Sequence, residues 1–221
     1  MSEGPQVLRR TEWLHKHLQA RRIVRCHSAR IDIPAEKLTG RTVLRAFCKG
    51  KHIFIEFDDG RFLHNHLLMK GIWRKLTGQQ LFFPDTMWLA LYVGPFTICN
   101  LKGQMLKLVN EDAVKLQCNS LGSDAMSLPF PRDEIYQSLG ATKLAISEAS
   151  LDQKVLCGVG NIAKSEARSQ NLWVKSIRKS GVVSWECAGR AALSLSHSAQ
   201  SRSQRRATAS EAHCRRFGLE P

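Results

Sequence analysis

The stretch LDQKVLCGVGNIAKSEA, which runs from Leu151 to Ala167, guides the interpretation of the rest of the chain. Gly158 and Gly160 precede a segment that begins near Asn161 and has the composition of a helix. A helix N-terminus presents unpaired backbone N–H groups and the positive end of a dipole, so it attracts anions. The stretch therefore predicts a glycine turn feeding a helix, where Asn161 and free backbone N–H groups can hold a phosphate.

An alternative reading of the same glycines is a dinucleotide-binding turn, because residues 158–163 match the loose pattern G-x-G-x-x-A. That fold needs an acidic residue about 20 positions further on and an alternating strand–helix–strand pattern around the glycines. Arg178 and Lys179 occupy the expected position, and the alternation is missing. We therefore prefer the phosphate-binding turn.

The charge balance favours a polyanionic partner. The 221 residues include 33 Lys and Arg against 19 Asp and Glu, a net charge of +14 spread through the body of the chain. Such a field attracts nucleic acid, although a generally basic soluble protein would show the same balance. The longest apolar run, Met87–Val93, is too short to cross a membrane, and no secretion signal is evident. The seven cysteines form no C-x-x-C pair, which predicts reduced thiols in a cytosolic protein.

Hydrophobic periodicity predicts a leading helix followed by short strands. Apolar residues at helical spacing indicate a helix over residues 6–18. Alternating residues on both sides of an Asp-Asp-Gly turn indicate a β-hairpin. The predicted strands cover residues 53–57, 61–67, 87–93, 96–100 and 105–109. Several short strands joined by turns predict an antiparallel sandwich or barrel.

The character of the chain changes near residues 121–124, and prolines follow at positions 129 and 131. We predict a first domain over residues 1–122 and a second, helical domain over residues 123–195, with helices near residues 133–139 and 162–171. Residues 196–221 are rich in Ser, Arg and Ala and poor in large apolar side chains. They predict a disordered basic tail.

The N-terminus could itself supply a reactive group. Ser2 is small, so removal of Met1 is expected to leave a free amine on Ser2, followed by Glu3. An α-amine has a reference pKa near 7.7–8.0, so at pH 7 roughly one molecule in ten carries it uncharged and able to attack an aldehyde carbon. An ordinary, solvated N-terminus is the alternative interpretation.

Two further segments could contact a ligand. Lys51 follows Gly50 at the start of a predicted strand, where it can meet a phosphate or simply end a polar turn. His64 and His66 share one strand face, but no third ligand has suitable spacing, so no metal site is predicted. Met69, just before a glycine, is either a wedge that enters a base stack or a core side chain.

Taken in order, four motifs resemble the formamidopyrimidine-DNA glycosylase/endonuclease VIII family. They are S-E-G-P at residues 2–5, G-K-H at 50–52, H-L-L-M-K-G at 66–71, and D-Q-x-V-x-x-G-V-G-N-I-x-K-S-E at 152–166. The resemblance covers about residues 1–175 and implies an α+β fold. An N-terminal antiparallel β-sandwich with a leading helix precedes a helix-two-turn-helix domain, with double-stranded DNA bound between the two. Such enzymes remove oxidised bases and cut the abasic strand.

Carried over residue by residue, the resemblance implies catalytic roles for Ser2, Glu3 and Lys51. The Ser2 amine would attack C1′ of the damaged nucleotide, Glu3 would protonate the deoxyribose ring oxygen, and Lys51 would contact phosphate and assist elimination. Met69 would fill the space of the everted base. The residues implied in binding the DNA backbone are His66, Lys154, Gly158, Gly160 and Asn161.

The chain departs from the family pattern at three places. Ser2 stands where proline is usual, Gln6 stands where an acidic residue is usual, and no zinc finger or cofactor site is recognisable in residues 176–221. The E-G-P start and the lack of an arginine-phenylalanine loop near residues 101–104 resemble the endonuclease VIII branch.

The resulting prediction is a bifunctional DNA glycosylase and abasic-site lyase for base-excision repair. The partner would be duplex DNA with a damaged base or an abasic site, and the protein would be a monomer associated with DNA in the cytoplasm, or in the nucleus of a eukaryote. One alternative is an impaired relative that only binds damaged or abasic DNA. A nonfunctional, incompletely packed fragment is another.

Overall fold

The computed structural model describes residues 2–77, 86–103 and 105–169. The helices of these residues are α1 (Gly4–Leu18), α2 (Ala35–Leu38), α3 (Glu111–Asn119), α4 (Arg132–Ala141), α5 (Ile146–Ala149) and α6 (Asn161–Ser169). The strands are β1 (Arg25–Ser28), β2 (Val43–Lys49), β3 (His52–Phe57), β4 (Arg61–His66), β5 (Ile72–Thr77), β6 (Met87–Tyr92), β7 (Phe96–Leu101), β8 (Met105–Asn110), β9 (Ser123–Asp124) and β10 (Leu156–Cys157). The predicted tail, residues 196–221, and the whole of the region 176–221 lie outside the described residues.

The N-terminal half is an antiparallel sandwich, as the sequence predicts. One sheet has the strand order β2-β3-β4-β8 and the other β1-β6-β7-β5, with four strands in each. The β3–β4 hairpin turns at the predicted Asp-Asp-Gly sequence, where Gly60 adopts a positive φ of 77° that a residue with a side chain rarely takes.

The core of the sandwich lies between the two sheets and against α1. Val7, Leu14 and Leu18 on one face of α1 are fully buried in the same cluster as Ile53 and Ile55 of β3. Side chains alternate along a strand, so Phe54 points to the opposite face, where it packs with Phe62 and with Val114 of α3. Helix α1 therefore packs against β2 and β3, the strands that the β2–β3 turn connects.

The region after β8 is built mainly from helices. The expected helices are confirmed as α4 and α6, and the α+β class is confirmed as well. Helix α3 was not predicted; it begins where the Asn110 side chain accepts a hydrogen bond from Ala113 N at 3.1 Å. Strands β9 and β10 pair in parallel, with Asp124 opposite Cys157. The division at residues 122 and 123, between α3 and β9, stays a prediction.

In the described part of the chain, each helix is too short or too polar to cross a membrane.

Candidate functional site

The N-terminus enters α1 in a fixed geometry. Pro5 in the first turn sets a helical φ and needs no N–H partner there. The Gln6 side chain returns to the helix start, where its Oε1 accepts a hydrogen bond from Glu3 N at 2.7 Å. Ser2 N donates to Leu68 O at 3.0 Å. The nitrogen of Ser2 is therefore held beside the loop that follows β4.

The carboxylate of Glu3 is buried at the start of another helix. Only 4% of Glu3 is exposed, and its oxygens accept hydrogen bonds from Ile162 N at 2.7 Å and Ala163 N at 3.0 Å. These amides belong to the first turn of α6, where an anion is favoured by free N–H groups and by the helix dipole. Glu3 thus joins the start of α1 to the start of α6. The prediction that free N–H groups at this helix start hold a phosphate is wrong for Ile162 and Ala163, whose N–H groups bind the Glu3 carboxylate.

Two glycines make this close approach possible. A β-carbon on Gly160 would lie 2.4 Å from Oε1 of Glu3, closer than real contacts allow. Gly4 N donates to Gly158 O at 2.7 Å, and a β-carbon on Gly4 would lie 2.8 Å from that oxygen. The glycines of the Gly158–Gly160 loop and of the N-terminus therefore allow two backbones to meet without side chains between them.

Lys51 lies on the turn between β2 and β3, and this turn packs beside the Gly158–Gly160 loop that holds Glu3. Gly50 has a φ of 58°, and a β-carbon there would lie 3.0 Å from Cβ of Cys157. Burial lowers the pKa of the half-buried Lys51 below its ordinary value of 10.5, while the negative charge of Glu3 opposes this decrease. The two catalytic candidates are thus brought within electrostatic reach of each other.

The loop before α6 is braced by its own residues. Gln153 Nε2 donates to Val159 O at 3.0 Å and to Leu151 O at 2.8 Å, and Oε1 of the same side chain accepts from Gly158 N at 3.2 Å. Lys154 and Asn161 are both exposed on this loop and at the start of α6. The structure therefore leaves these two candidates accessible to a phosphate.

Three histidines line the end of the β3–β4 hairpin next to Lys51. Nδ1 of His52 lies 2.9 Å from Nε2 of His64, and the rings of His52 and His66 are 4.8 Å apart. Burial, followed by repulsion from neighbouring positive charges, lowers the pKa of His52 to about 3 and that of His64 to about 4, and it lowers the pKa of His66 too. The histidines are therefore neutral near pH 7. In the described ranges, no group of three or more His, Cys, Asp or Glu residues is arranged to hold a metal ion.

Met69 lies in the loop that touches the N-terminus. Its side chain is 64% exposed, so it is not a core residue. The preceding Leu68 has a positive φ of 49° and supplies the carbonyl that binds Ser2 N. His66 Nδ1 accepts from Leu68 N at 3.1 Å, which fixes the start of the same loop. The structure thus brings Met69 and His66 to the site.

Sequence reasoning missed Asp124, which is 9% exposed and contacts the lysine turn. Its Oδ2 accepts from Gly50 N at 2.7 Å and its Oδ1 from Met126 N at 2.8 Å. In the sequence Asp124 follows Gly122 and Ser123 and looks like an ordinary turn residue at a domain boundary. Nothing local indicates its partner 74 positions away.

Comparisons with known proteins show what this chain is similar to. Residues 1–92 match the family model described as the formamidopyrimidine-DNA glycosylase N-terminal domain. The chain is 28% identical over 176 residues to a probable endonuclease 8 of Streptomyces coelicolor, covering 75% of this chain and 62% of that protein. It is 30% identical over 178 residues to a formamidopyrimidine-DNA glycosylase of Thioalkalivibrio sulfidiphilus, covering 76% and 65% of the two chains. This chain therefore spans less than two thirds of either relative.

A solved structure has the same fold. The formamidopyrimidine-DNA glycosylase of Lactococcus lactis, bound noncovalently to DNA containing an abasic site, superposes with a TM-score of 0.73 at 19% identity, over 90% of this chain and 81% of that one. The family match, the relatives and the fold agree with the four sequence motifs. Over the region that it shares with these relatives, the chain therefore resembles the formamidopyrimidine-DNA glycosylase/endonuclease VIII family, and its residues 1–92 match that family's N-terminal domain.

Proposed function

We propose that this protein is a DNA glycosylase with abasic-site lyase activity, closer to the endonuclease VIII branch and acting on oxidised bases in duplex DNA. The observation that carries the proposal is the convergence of three distant segments. Residues 3 and 4 bind the start of α6 and the Gly158–Gly160 loop through hydrogen bonds of 2.7 Å, and the Gly50–Lys51 turn packs against the backbone of Gly158. The net charge of +14 favours the same partner.

The proposed reaction starts from the amine of Ser2 once Met1 is removed. The neutral amine attacks C1′ of the damaged nucleotide, the base leaves with a proton, and the ring opens to an imine. Glu3 moves the proton to and from the deoxyribose ring oxygen. The imine acidifies the C2′ proton, and its removal expels the 3′ phosphate, a step that Lys51 assists. His66, Lys154 and Asn161 would bind the DNA backbone, and Met69 would occupy the space of the everted base. Gly158 and Gly160, which the resemblance implied in DNA binding, are buried against the N-terminal segment and would position Glu3 instead.

Borohydride trapping on an oligonucleotide with an abasic site tests the proposal. We expect a covalent adduct that peptide mapping assigns to Ser2. Mild periodate cleaves the 1,2-amino alcohol of an N-terminal serine and leaves an aldehyde, so pretreatment should abolish the adduct. The Ser2→Ala variant keeps a primary amine without the amino alcohol; its yield of adduct, compared with its own untreated sample, should not change.

An adduct that survives loss of the Ser2 amine would contradict the mechanism. The alternative that this protein only binds lesions has a distinct result: tight, selective binding of abasic duplex with neither adduct nor cleavage. Ser2 replaces the proline that is usual in the family, so the rigid secondary amine is missing. This replacement supports the alternative that the protein only binds lesions.

A further inference from the structure

A buried carboxylate at the junction has no part in the reaction proposed above. Asp124 lies on β9, outside the sandwich, yet its Oδ2 accepts the N–H of Gly50 at 2.7 Å from the turn between β2 and β3. Its other oxygen accepts the N–H of Met126 at 2.8 Å. Both carboxylate oxygens are therefore occupied by backbone donors.

The hydrogen bond between Asp124 and Gly50 fixes the backbone position from which the Lys51 side chain extends. Gly50 adopts a φ of 58° and packs against Cys157, so the turn has little freedom in the direction of β10. The carboxylate of Asp124 binds the N–H of the same glycine. A charge-assisted hydrogen bond in a buried setting is stronger and shorter than a neutral one. The backbone of Lys51 is thus attached to β9 through its neighbour.

Asp124 also contacts the loop that holds Glu3. Asp124 pairs with Cys157, the residue immediately before Gly158, and its Oδ1 lies 3.3 Å from the position of a β-carbon on Gly158. Gly158 in turn binds Gly4 N at 2.7 Å. Asp124 therefore lies between the lysine turn and the backbone beside Glu3, and it sets their separation.

We propose that Asp124 is a positioning residue for Lys51 in the abasic-site reaction, holding its ammonium at a fixed distance from Glu3. The inference rests on the proposed function and extends it to a carboxylate buried against the lysine turn. Asparagine at this position offers one oxygen and one NH2 group to two N–H donors, so one donor loses its partner. The turn then shifts, and with it the start of the Lys51 side chain.

The test is a double-mutant cycle of Asp124→Asn and Lys51→Gln, with single-turnover cleavage of abasic duplex as the readout. A displacement of about 1 Å in a catalytic group lowers a rate by roughly 10-fold to 100-fold. We expect Asp124→Asn to slow strand cleavage about 10-fold while the Kd for uncleavable abasic duplex stays within about twofold. In the Lys51→Gln background the same change should have no further effect, because the positioned group is gone.

Asp58→Asn is the matched control. Asp58 Oδ2 also accepts a backbone N–H, from Thr42 at 3.0 Å, but at the end of the β2–β3 pair opposite Lys51. This variant should cleave at the wild-type rate. Asp124→Glu keeps the charge and both acceptors with one more methylene, so it serves if the asparagine variant unfolds; it too should slow cleavage only when Lys51 is present.

The outcomes separate the two proposals. An active wild type in which Asp124→Asn slows cleavage equally with and without Lys51, or weakens DNA binding by the same factor as cleavage, overturns the positioning role and leaves the proposed function standing. A wild type that neither forms an adduct nor cleaves overturns the proposed function, and the positioning role with it.

Discussion

At the scale of single residues, the least tolerant position of the site is Gly160. The carboxylate of Glu3 occupies the space that a β-carbon would need, with Oε1 only 2.4 Å from it. Glu3 cannot retreat easily, because it is buried and bonded to the first turn of α6. A methyl group at Gly160 must therefore displace either the carboxylate or the helix.

We expect Gly160→Ala to lower the free energy of unfolding by about 1–3 kcal/mol and to slow adduct formation by at least roughly 10-fold. Chemical denaturation and borohydride trapping measure the two effects. Gly140→Ala is the control, since a β-carbon there meets nothing within 4 Å and the position is helical and exposed. It should be neutral or slightly stabilising. A Gly160→Ala protein with wild-type trapping would show that Glu3 does not need its present position.

The hydrogen-bonded His52 and His64 predict a pH dependence of stability. Their pKa values in the folded protein are about 3 and about 4, against 6.5 for a free histidine. Between pH 7 and pH 5 the unfolded chain therefore takes up protons that the folded chain excludes, and stability falls as pH falls. The carboxylates with a lowered pKa, such as Asp59 with an ordinary value of 3.8, lose their contribution only at lower pH.

We expect the free energy of unfolding to drop by about 2 kcal/mol from pH 7 to pH 5, after allowance for partial solvent screening of the pair. The double variant His52→Gln with His64→Gln should lose most of this drop in urea denaturation at the two pH values. His27→Gln, on β1 of the other sheet, should keep the wild-type drop. An equal drop in the wild type and the double variant would contradict this origin.

At the scale of elements, α1 and α6 share one acidic residue. Glu3 begins α1 with its backbone, and Val7 N and Gln6 N both donate to Glu3 O at 3.0 Å. Its side chain binds the N–H groups of Ile162 and Ala163 at the start of α6. Gly160, the residue before this helix, has no side chain that could cap it. One residue therefore satisfies N–H groups at both helix starts, and Glu3 is 159 positions away from Ile162.

Gln6 offers a test of this helix start. Gln6→Ala removes the acceptor of Glu3 N, so it should lower stability by about 1 kcal/mol in thermal or chemical unfolding. Gln6→Glu keeps an acceptor and adds a negative charge beside the Ser2 amine, which stabilises the protonated amine. Adduct formation should then shift to higher pH while stability stays near that of the wild type. Identical pH profiles for Gln6→Glu and the wild type would place the reacting amine elsewhere.

At the scale of the whole molecule, the positive charge and the site together predict how DNA binding responds to salt. Each phosphate contact releases counterions, so log Kobs falls by about 0.9 for each tenfold rise in salt per contact. Lys154 is exposed and lies four residues before Gly158, whose carbonyl binds Gly4 N at the N-terminal end of α1. Lys37 is exposed on α2, which lies by the opposite end of α1, where Gly40 N binds Ile23 O and Ala20 N binds Val43 O.

We expect Lys154→Ala to weaken binding of abasic duplex and to reduce the slope of log Kobs against log salt by about 1. Lys37→Ala should leave that slope unchanged, since α1 spans roughly 20 Å between the two lysines. Fluorescence anisotropy between low and moderate salt gives both slopes. Equal reductions from the two variants would mean that binding reflects only net charge.

The local sequence determines much of this fold. Alternation around residues 53–67 predicts the β3–β4 hairpin, and the Asp-Asp-Gly turn fixes where it reverses, because these signals act over a few residues. Helix α1 follows in the same way from its apolar spacing. Helix α3 escaped prediction although Asn110 is a good N-cap, since its packing against β4 and β8 contributes more than its own periodicity.

The sequence predicts which residues form the candidate site, but not how they are arranged. Ser2, Glu3, Lys51 and the glycines are recognisable from motif and chemistry, whereas their mutual geometry depends on contacts that span 74 and 159 positions. Asp124 has no motif at all. A short-range pattern reports local backbone preference, but a buried carboxylate finds its partners only after the chain has packed. The position of Asp124 beside the lysine turn, and the meeting of Glu3 with α6, were therefore decided by the tertiary structure alone.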